Sequence, residues 1–161
     1  MWDRITKSNP FAAVLTAALD EAGRRGARRL GTDHLLLGLL HDPESAAARA
    51  LNVTLDDAHS ALDDLDRTAL ATIGLDVQAL ELPGPRPYKP LPLSRNNSTS
   101  NARAVLRDAV GATSLKTRRL APNHLLRSLL TLTPPDPAVE LFTHLGIDPH
   151  TTRERLAALE P

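Results

Sequence analysis

Apolar residues recur along this chain at helical spacing, and each run has its own start and stop signals. Asn9 followed by Pro10 has the form of a helix cap and first turn. Phe11, Val14, Leu15, Ala18, Leu19 and Ala22 then form an i, i+3, i+4 stripe, and Gly26 supplies a stop. Thr32 opens a second helix, its hydroxyl placed to accept a backbone N–H. The run Leu35, Leu36, Leu37, Leu39 and Leu40 is apolar on nearly every side, which predicts burial. Pro43 follows it, and a short helix is predicted from about Glu44 to Leu51. Thr54 caps a longer helix, with Asp57 standing in for the capping-box glutamate and a stripe of Leu55, Ala58, Leu62, Leu65 and Ala69 ending at Gly74.

Residues 81–100 break the pattern. Prolines at 83, 85, 87, 90 and 92 predict an extended stretch, and the polar run from Ser94 to Ser100 predicts a loose one. Helical spacing resumes with Ala102, Val105, Leu106, Ala109 and Val110. Pro122 opens a helix carrying Leu125, Leu126, Leu129 and Leu130. Pro137 opens another that ends near Leu145 and Gly146, and Asp148 with Pro149 starts a last one running to Leu159.

The two stretches repeat each other. Arg28 to Leu36 aligns with Arg118 to Leu126 at an offset of 90, and Val14, Leu15 and Ala18 align with Val105, Leu106 and Ala109 at an offset of 91. The expected fold is all-α, a tandem repeat of two four-helix units related by a pseudo-two-fold axis. The expected organisation is repeat one over 1–80, a Pro-rich and polar linker over 81–100, and a degenerate repeat two over 101–161, sharing one core.

Composition narrows the chemistry. Of the 161 residues only 2% are aromatic, namely Trp2, Phe11, Tyr88 and Phe142, so the core is aliphatic. The absence of cysteine excludes disulfides, thiol catalysis and Cys-based zinc or iron–sulfur sites. Lys+Arg and Asp+Glu are 19 each, so no net positive charge points to nucleic acid, and aromatics for base stacking are scarce. No apolar run approaches the roughly 18 residues of a membrane span, and Met1 to Thr6 has no signal-peptide core. The expectation is a cytoplasmic protein without a membrane segment.

Gly31-Thr32-Asp33-His34-Leu35-Leu36-Leu37-Gly38-Leu39 resembles the G-T-E-H-[IL]-L-L-G-L signature of the Clp amino-terminal repeat, found at the front of ClpA- and ClpC-type unfoldases. Met1-Trp2-Asp3-Arg4-Ile5-Thr6 is similar to the family opening, and Leu91-Pro92-Leu93-Ser94 to its bridge between repeats. The resemblance covers nearly the whole chain and is weaker in the second repeat. It implies a docking module for a Clp-type ATPase, an adaptor, a substrate protein or a cyclic-peptide-like small molecule. It also implies a phosphoarginine site built on the Thr and Glu of each motif. Here those positions hold Thr32 and Asp33 in repeat one but Pro122 and Asn123 in repeat two, so the second site is expected to be lost and the first weakened. No G-x-x-x-x-G-K-[ST] loop occurs, so the chain alone is expected not to be an unfoldase, whether it stands alone or is a piece of a longer chain.

Trp2, Thr32, Asp33, Tyr88 and Lys89 are the candidate ligand-binding residues, Trp2 and Tyr88 because the resemblance places a groove at the N-terminus and bridge. His34 and His124 fall at matching helix starts, where a structural role is expected. The six histidines show no metal-ligand spacing, and no cofactor or metal is expected. Asp56, Asp57, Asp63, Asp64 and Asp66 put acid on one helix, while Arg24, Arg25, Arg28 and Arg29, echoed by Lys116, Arg118 and Arg119, put base in the first loop of each half. No G-x-S-x-G elbow is present. Two functions stand open: a non-enzymatic binding module that regulates a Clp protease or acts as its decoy, and a scaffold repurposed as an enzyme or self-resistance protein in small-molecule biosynthesis. A cleft with paired polar groups favours the enzyme; an apolar groove rimmed by charge favours docking.

Overall fold

The computed structural model describes residues 9–76 and 86–161, and Trp2 lies outside them. Among the described residues there are eight α-helices and no strand: α1 (Pro10–Arg24), α2 (Thr32–Leu40), α3 (Ala46–Leu51), α4 (Leu55–Thr72), α5 (Ser100–Gly111), α6 (Ala121–Leu129), α7 (Pro137–Leu145) and α8 (Pro149–Leu159). A 3-10 turn, Arg118–Leu120, leads into α6.

Most helix starts follow the expected chemistry. Asn9, Thr54 and Asp148 each accept an N–H of the following turn, and Thr54 and Asp57 close a reciprocal capping box. Gly26, Gly74 and Gly146 take positive φ at the stops after α1, α4 and α7. The short helix starts later than expected, at Ala46, because Ser45 is its cap: the Ser45 hydroxyl accepts the Ala48 N–H at 3.1 Å. Val110, placed on the buried stripe of α5 by its spacing, is 58% exposed.

The halves interleave rather than stack. In each, the first helix lies along the second, α1 on α2 and α5 on α6. Across the pseudo-two-fold axis α2 meets α6, and the outer contacts come in matched pairs: α2 with α7 and α3 with α6, then α3 with α8 and α4 with α7. One apolar cluster runs through both halves and holds the matched sets Val14, Ala18, Leu35, Leu36 and Leu39, and Val105, Ala109, Leu125, Leu126 and Leu129. Burying each leucine side chain contributes about 1.5–3 kcal/mol.

Small residues set the spacing. A Cβ on Gly38 would lie 2.5 Å from the Val14 carbonyl oxygen and 3.1 Å from the Ala18 Cβ, so α1 crosses α2 this closely only over glycine.

The polar run at 94–100 is not loose. Leu30 is fully buried, so its backbone groups need partners inside the protein. Its N–H donates to the Asn97 carbonyl at 2.6 Å, and its own carbonyl accepts from the Thr99 N–H at 2.9 Å. Ser98 donates to the Ser94 carbonyl at 3.0 Å, and Arg103 donates to the carbonyls of Arg95 and Ser98. The stretch is a parallel bridge that ties the end of the first inter-helix loop to the start of α5.

Candidate functional site

The motif at the start of α2 makes a buried joint between the halves. Gly31 is the N-cap and has no side chain to offer, so His34 reaches back and its Nδ1 accepts the Gly31 N–H at 3.0 Å. Burial holds His34 below its usual pKa, which favours the neutral ring that this acceptor role requires. The histidine is structural, as its pattern suggests.

Thr32 does not cap its own helix. Its hydroxyl donates across the axis to Asp136 Oδ1 at 2.6 Å. The other Asp136 oxygen accepts from Asn101 at 2.7 Å, and Oδ1 also accepts the Ala138 N–H at 2.9 Å, so Asp136 caps α7 while joining α2, α5 and α7. Thr32 and Asp136 are 1% and 4% exposed. This latch closes one side of the molecule. Asp33, the other motif candidate, lies beside it with its carboxylate 3.7 Å from the His34 ring.

The pseudo-two-fold mate of the latch is open. By the repeat offsets Thr32 matches Pro122 and Asn101 matches Pro10, while Asp136 and Ser45 are the matching caps of α7 and α3. Neither proline has a polar side chain, and the Ser45 hydroxyl is committed locally: it accepts the Ala48 N–H and donates to the Asp42 carbonyl at 2.8 Å. A cleft of about 640 Å³ lies where the latch is missing, with Pro10, Ser45 and Pro122 in its wall. Ala13, Val14, Ala17 and Leu39 give it an apolar lining, and Asp20, His41 and Asp42 add polar groups. Its size falls in the range of ligand pockets.

Behind this cleft sits a buried carboxylate. Glu21 on α1 is 2% exposed and holds two histidines: His41, after α2, at 2.7 Å and His59, on α4, at 2.9 Å. Burial alone would raise the Glu21 pKa, but the hydrogen bonds from His41 and His59 outweigh it, and the carboxyl is held below its ordinary value. Serine, histidine and carboxylate thus occur together by residue type. Their bonds are those of a clamp and a cap: His41 turns its Nε2 to Glu21, and Ser45 turns its hydroxyl to the turn before α3. Among the described residues no group of three or more His, Cys, Asp or Glu is arranged to hold a metal ion.

A strap of backbone completes the wall. The Leu91 N–H donates to the Leu19 carbonyl at 3.0 Å, and the Lys89 carbonyl passes so close to Gly23 that a Cβ there would collide with it. Tyr88 lies under the Arg24 guanidinium, 5.1 Å from ring centre to Cζ, and its hydroxyl is 3.4 Å from Asp20. Pro90, on the same strap, lines the cleft. Of the sequence candidates, Thr32 and Asp33 are on the latched side, and Tyr88 and Lys89 are on the strap. The pattern missed Pro10, Asp42 and Ser45, whose signal lay in comparing the two repeats position by position.

The charge clusters are partly matched within the chain. Arg25 reaches Asp63 at 3.3 Å and Asp66 at 2.6 Å, while Asp64 meets Arg67 and His144, so the acidic face of α4 is solvent-exposed and in part paired within the chain. In repeat two, Asn123 and a two-pronged Arg127 hold Glu160, and the Arg127 fork keeps that carboxyl below the usual range. Arg28, Arg29, Lys116, Arg118 and Arg119 are exposed.

Residues 7–80 match the family model described as the Clp repeat (R) N-terminal domain. The architecture is similar to the crystal structure of the N-terminal domain of the caseinolytic protease associated chaperone ClpD from Arabidopsis thaliana, with a TM-score of 0.60 and 19% sequence identity over 91% of this chain and 89% of that one. No curated protein sequence matches the chain. Among the described residues no helix is long and apolar enough to cross a membrane.

Proposed function

We propose that this chain, whose residues 7–80 match the Clp repeat (R) N-terminal domain model and whose fold is similar to that of a Clp N-terminal domain, is a docking module whose cleft between Pro10, Ser45 and Pro122 captures an extended, largely apolar segment of a partner protein. The resemblance to Clp N-terminal domains supports a role in docking substrates or adaptors. The observation that carries the reading is the asymmetry of the pseudo-two-fold. One side is closed by a saturated polar latch, and its mate is an open cleft with an apolar lining. An apolar cleft with a few polar groups at its rim suits a peptide segment, and its acidic groups, Asp20 and Asp42, suit a partner that is not itself acidic.

The reading is tested by panning displayed random dodecapeptides against the whole chain and against Ala13→Trp, which fills the cleft from its lining. The expected result is enrichment of aliphatic sequences by the parent and loss of that enrichment in the variant at unchanged melting temperature. Equal enrichment by both proteins, or none by the parent, overturns it. A second variant, Ala17→Trp, gives the same readout should the first fail to fold.

A further inference from the structure

The open cleft has two kinds of lining. Ala13, Val14, Ala17 and Leu39 make it aliphatic. Asp42, at the turn between α2 and α3, adds a carboxylate and is followed in the chain by Glu44, and both are exposed. The Asp42 carboxylate accepts the Glu44 N–H at 3.1 Å, which shapes the turn and leaves both charges in place. Among the described residues no lysine or arginine lines the cleft. His41 on the same wall directs its Nε2 to Glu21. Asp20, also in the cleft wall, has its own cation, Arg24, at 3.1 Å. On α4, by contrast, Asp63, Asp64 and Asp66 all meet basic groups of this chain. Asp42 is exposed, and among the described residues no lysine or arginine shares the cleft lining with it.

We propose that the segment held in this cleft carries a basic residue, lysine or arginine, with its aliphatic stem along the lining and its cation at Asp42. The inference rests on the docking reading and names the ligand chemistry of that site. Long basic side chains lay their methylenes on apolar surface while the charged head reaches a polar group, and this cleft offers both surfaces. The acid also fixes the register of the bound segment, because charge complementarity sets register and suppresses wrong partners.

The test uses acetylated, amidated hexapeptides of alanine, valine and leucine in which one position is lysine, norleucine or glutamate. Their affinities are measured by titration, with the amide resonances of Ala13, Asp42 and Ser45 reporting occupancy of the cleft. Lysine peptides are expected to bind about two- to fivefold more tightly than norleucine peptides, the worth of one solvent-exposed ion pair. The preference should shrink as salt is raised. Asp42→Asn keeps the acceptor for the Glu44 N–H and removes the charge, so it should bring lysine and norleucine to near parity at unchanged melting temperature. If norleucine or glutamate peptides bind as well as lysine peptides, or if the preference survives in Asp42→Asn, the inference fails while docking stands. If no peptide perturbs the three cleft amides, both fail.

Discussion

The hydroxyl of Thr32 donates a 2.6 Å hydrogen bond to the carboxylate of Asp136, 104 residues further along the chain, and both groups are buried. The first helical residue of α2 is thereby fixed to the cap of α7. A motif threonine that by position belongs to a helix start instead holds two halves of the molecule in register. The same carboxylate accepts from Asn101 and the Ala138 N–H, so one group ties the cap of α7 to α5 within its own half and to α2 across the axis. Such a network is stabilising only while it is complete.

Thr32→Val removes the hydroxyl at nearly constant shape and leaves a buried carboxylate one donor short. The expected cost is about 1–3 kcal/mol, the range for a buried polar group that loses its partner. Chemical denaturation should show a lower midpoint at an unchanged slope. A midpoint equal to that of the parent would mean that the latch does not hold the halves together.

Two buried groups contribute to acid sensitivity, in separate windows. His34 has a folded pKa lowered from 6.5 by burial, so the unfolded chain takes up the proton first. The stability of the neutral ring is present above pH 6.5 and is lost as pH falls below it toward the folded value. Glu21 has a folded pKa lowered from 4.5, the bonds from His41 and His59 outweighing the upward push of burial. Its contribution is present above pH 4.5 and is lost below, as pH falls through the folded value. Melting temperature followed from pH 8 to 3 should fall in two steps. His34→Asn keeps an acceptor for the Gly31 N–H and should remove the upper step alone, whereas Glu21→Gln should shrink the lower one, to which Glu160 also contributes. A single step unaffected by either change would refute the assignment.

Gly23→Ala separates helix propensity from the strap. In an exposed helix this change stabilises by about 1 kcal/mol. Here the added methyl group collides with the Lys89 carbonyl, and the strap must leave α1. Hydrogen exchange at the Leu91 amide, bonded to Leu19, should accelerate, while exchange at buried amides such as Leu36 stays slow. An unchanged Leu91 rate would show that the strap is not seated on Gly23.

Most of the architecture was legible because it depends on local rules. The caps at Asn9, Thr54 and Asp148, the stops at Gly26, Gly74 and Gly146 and the buried stripe from Leu35 to Leu40 follow from spacing and side-chain type within a few residues. The misplaced pieces depend on distant partners. Thr32 looked like a cap because its partner, Asp136, belongs to the other half, and 94–100 looked loose because its partner, Leu30, lies in the first half. The cleft was hidden for a third reason. Pro10, Ser45 and Pro122 are ordinary helix-start residues one at a time, and become a site only when set against Asn101, Asp136 and Thr32 across the pseudo-two-fold axis.

That comparison supplies the most direct control over the cleft. Pro10→Asn, Ser45→Asp and Pro122→Thr together place the latch residues on the open side. Losing the two prolines costs up to about 1 kcal/mol each through the unfolded chain. The new bonds between the introduced aspartate, threonine and asparagine offset this at about 1 kcal/mol each. The expected outcome is a denaturation midpoint close to that of the parent, with enrichment of displayed peptides abolished. Peptide capture at parental strength by a variant whose latch bonds are visible in its structure would move the docking site away from this cleft. Capture lost together with the fold is resolved by Ser45→Asp alone, which retains both prolines and the α3 cap and narrows the cleft from one wall, so that affinity should fall partway at full stability.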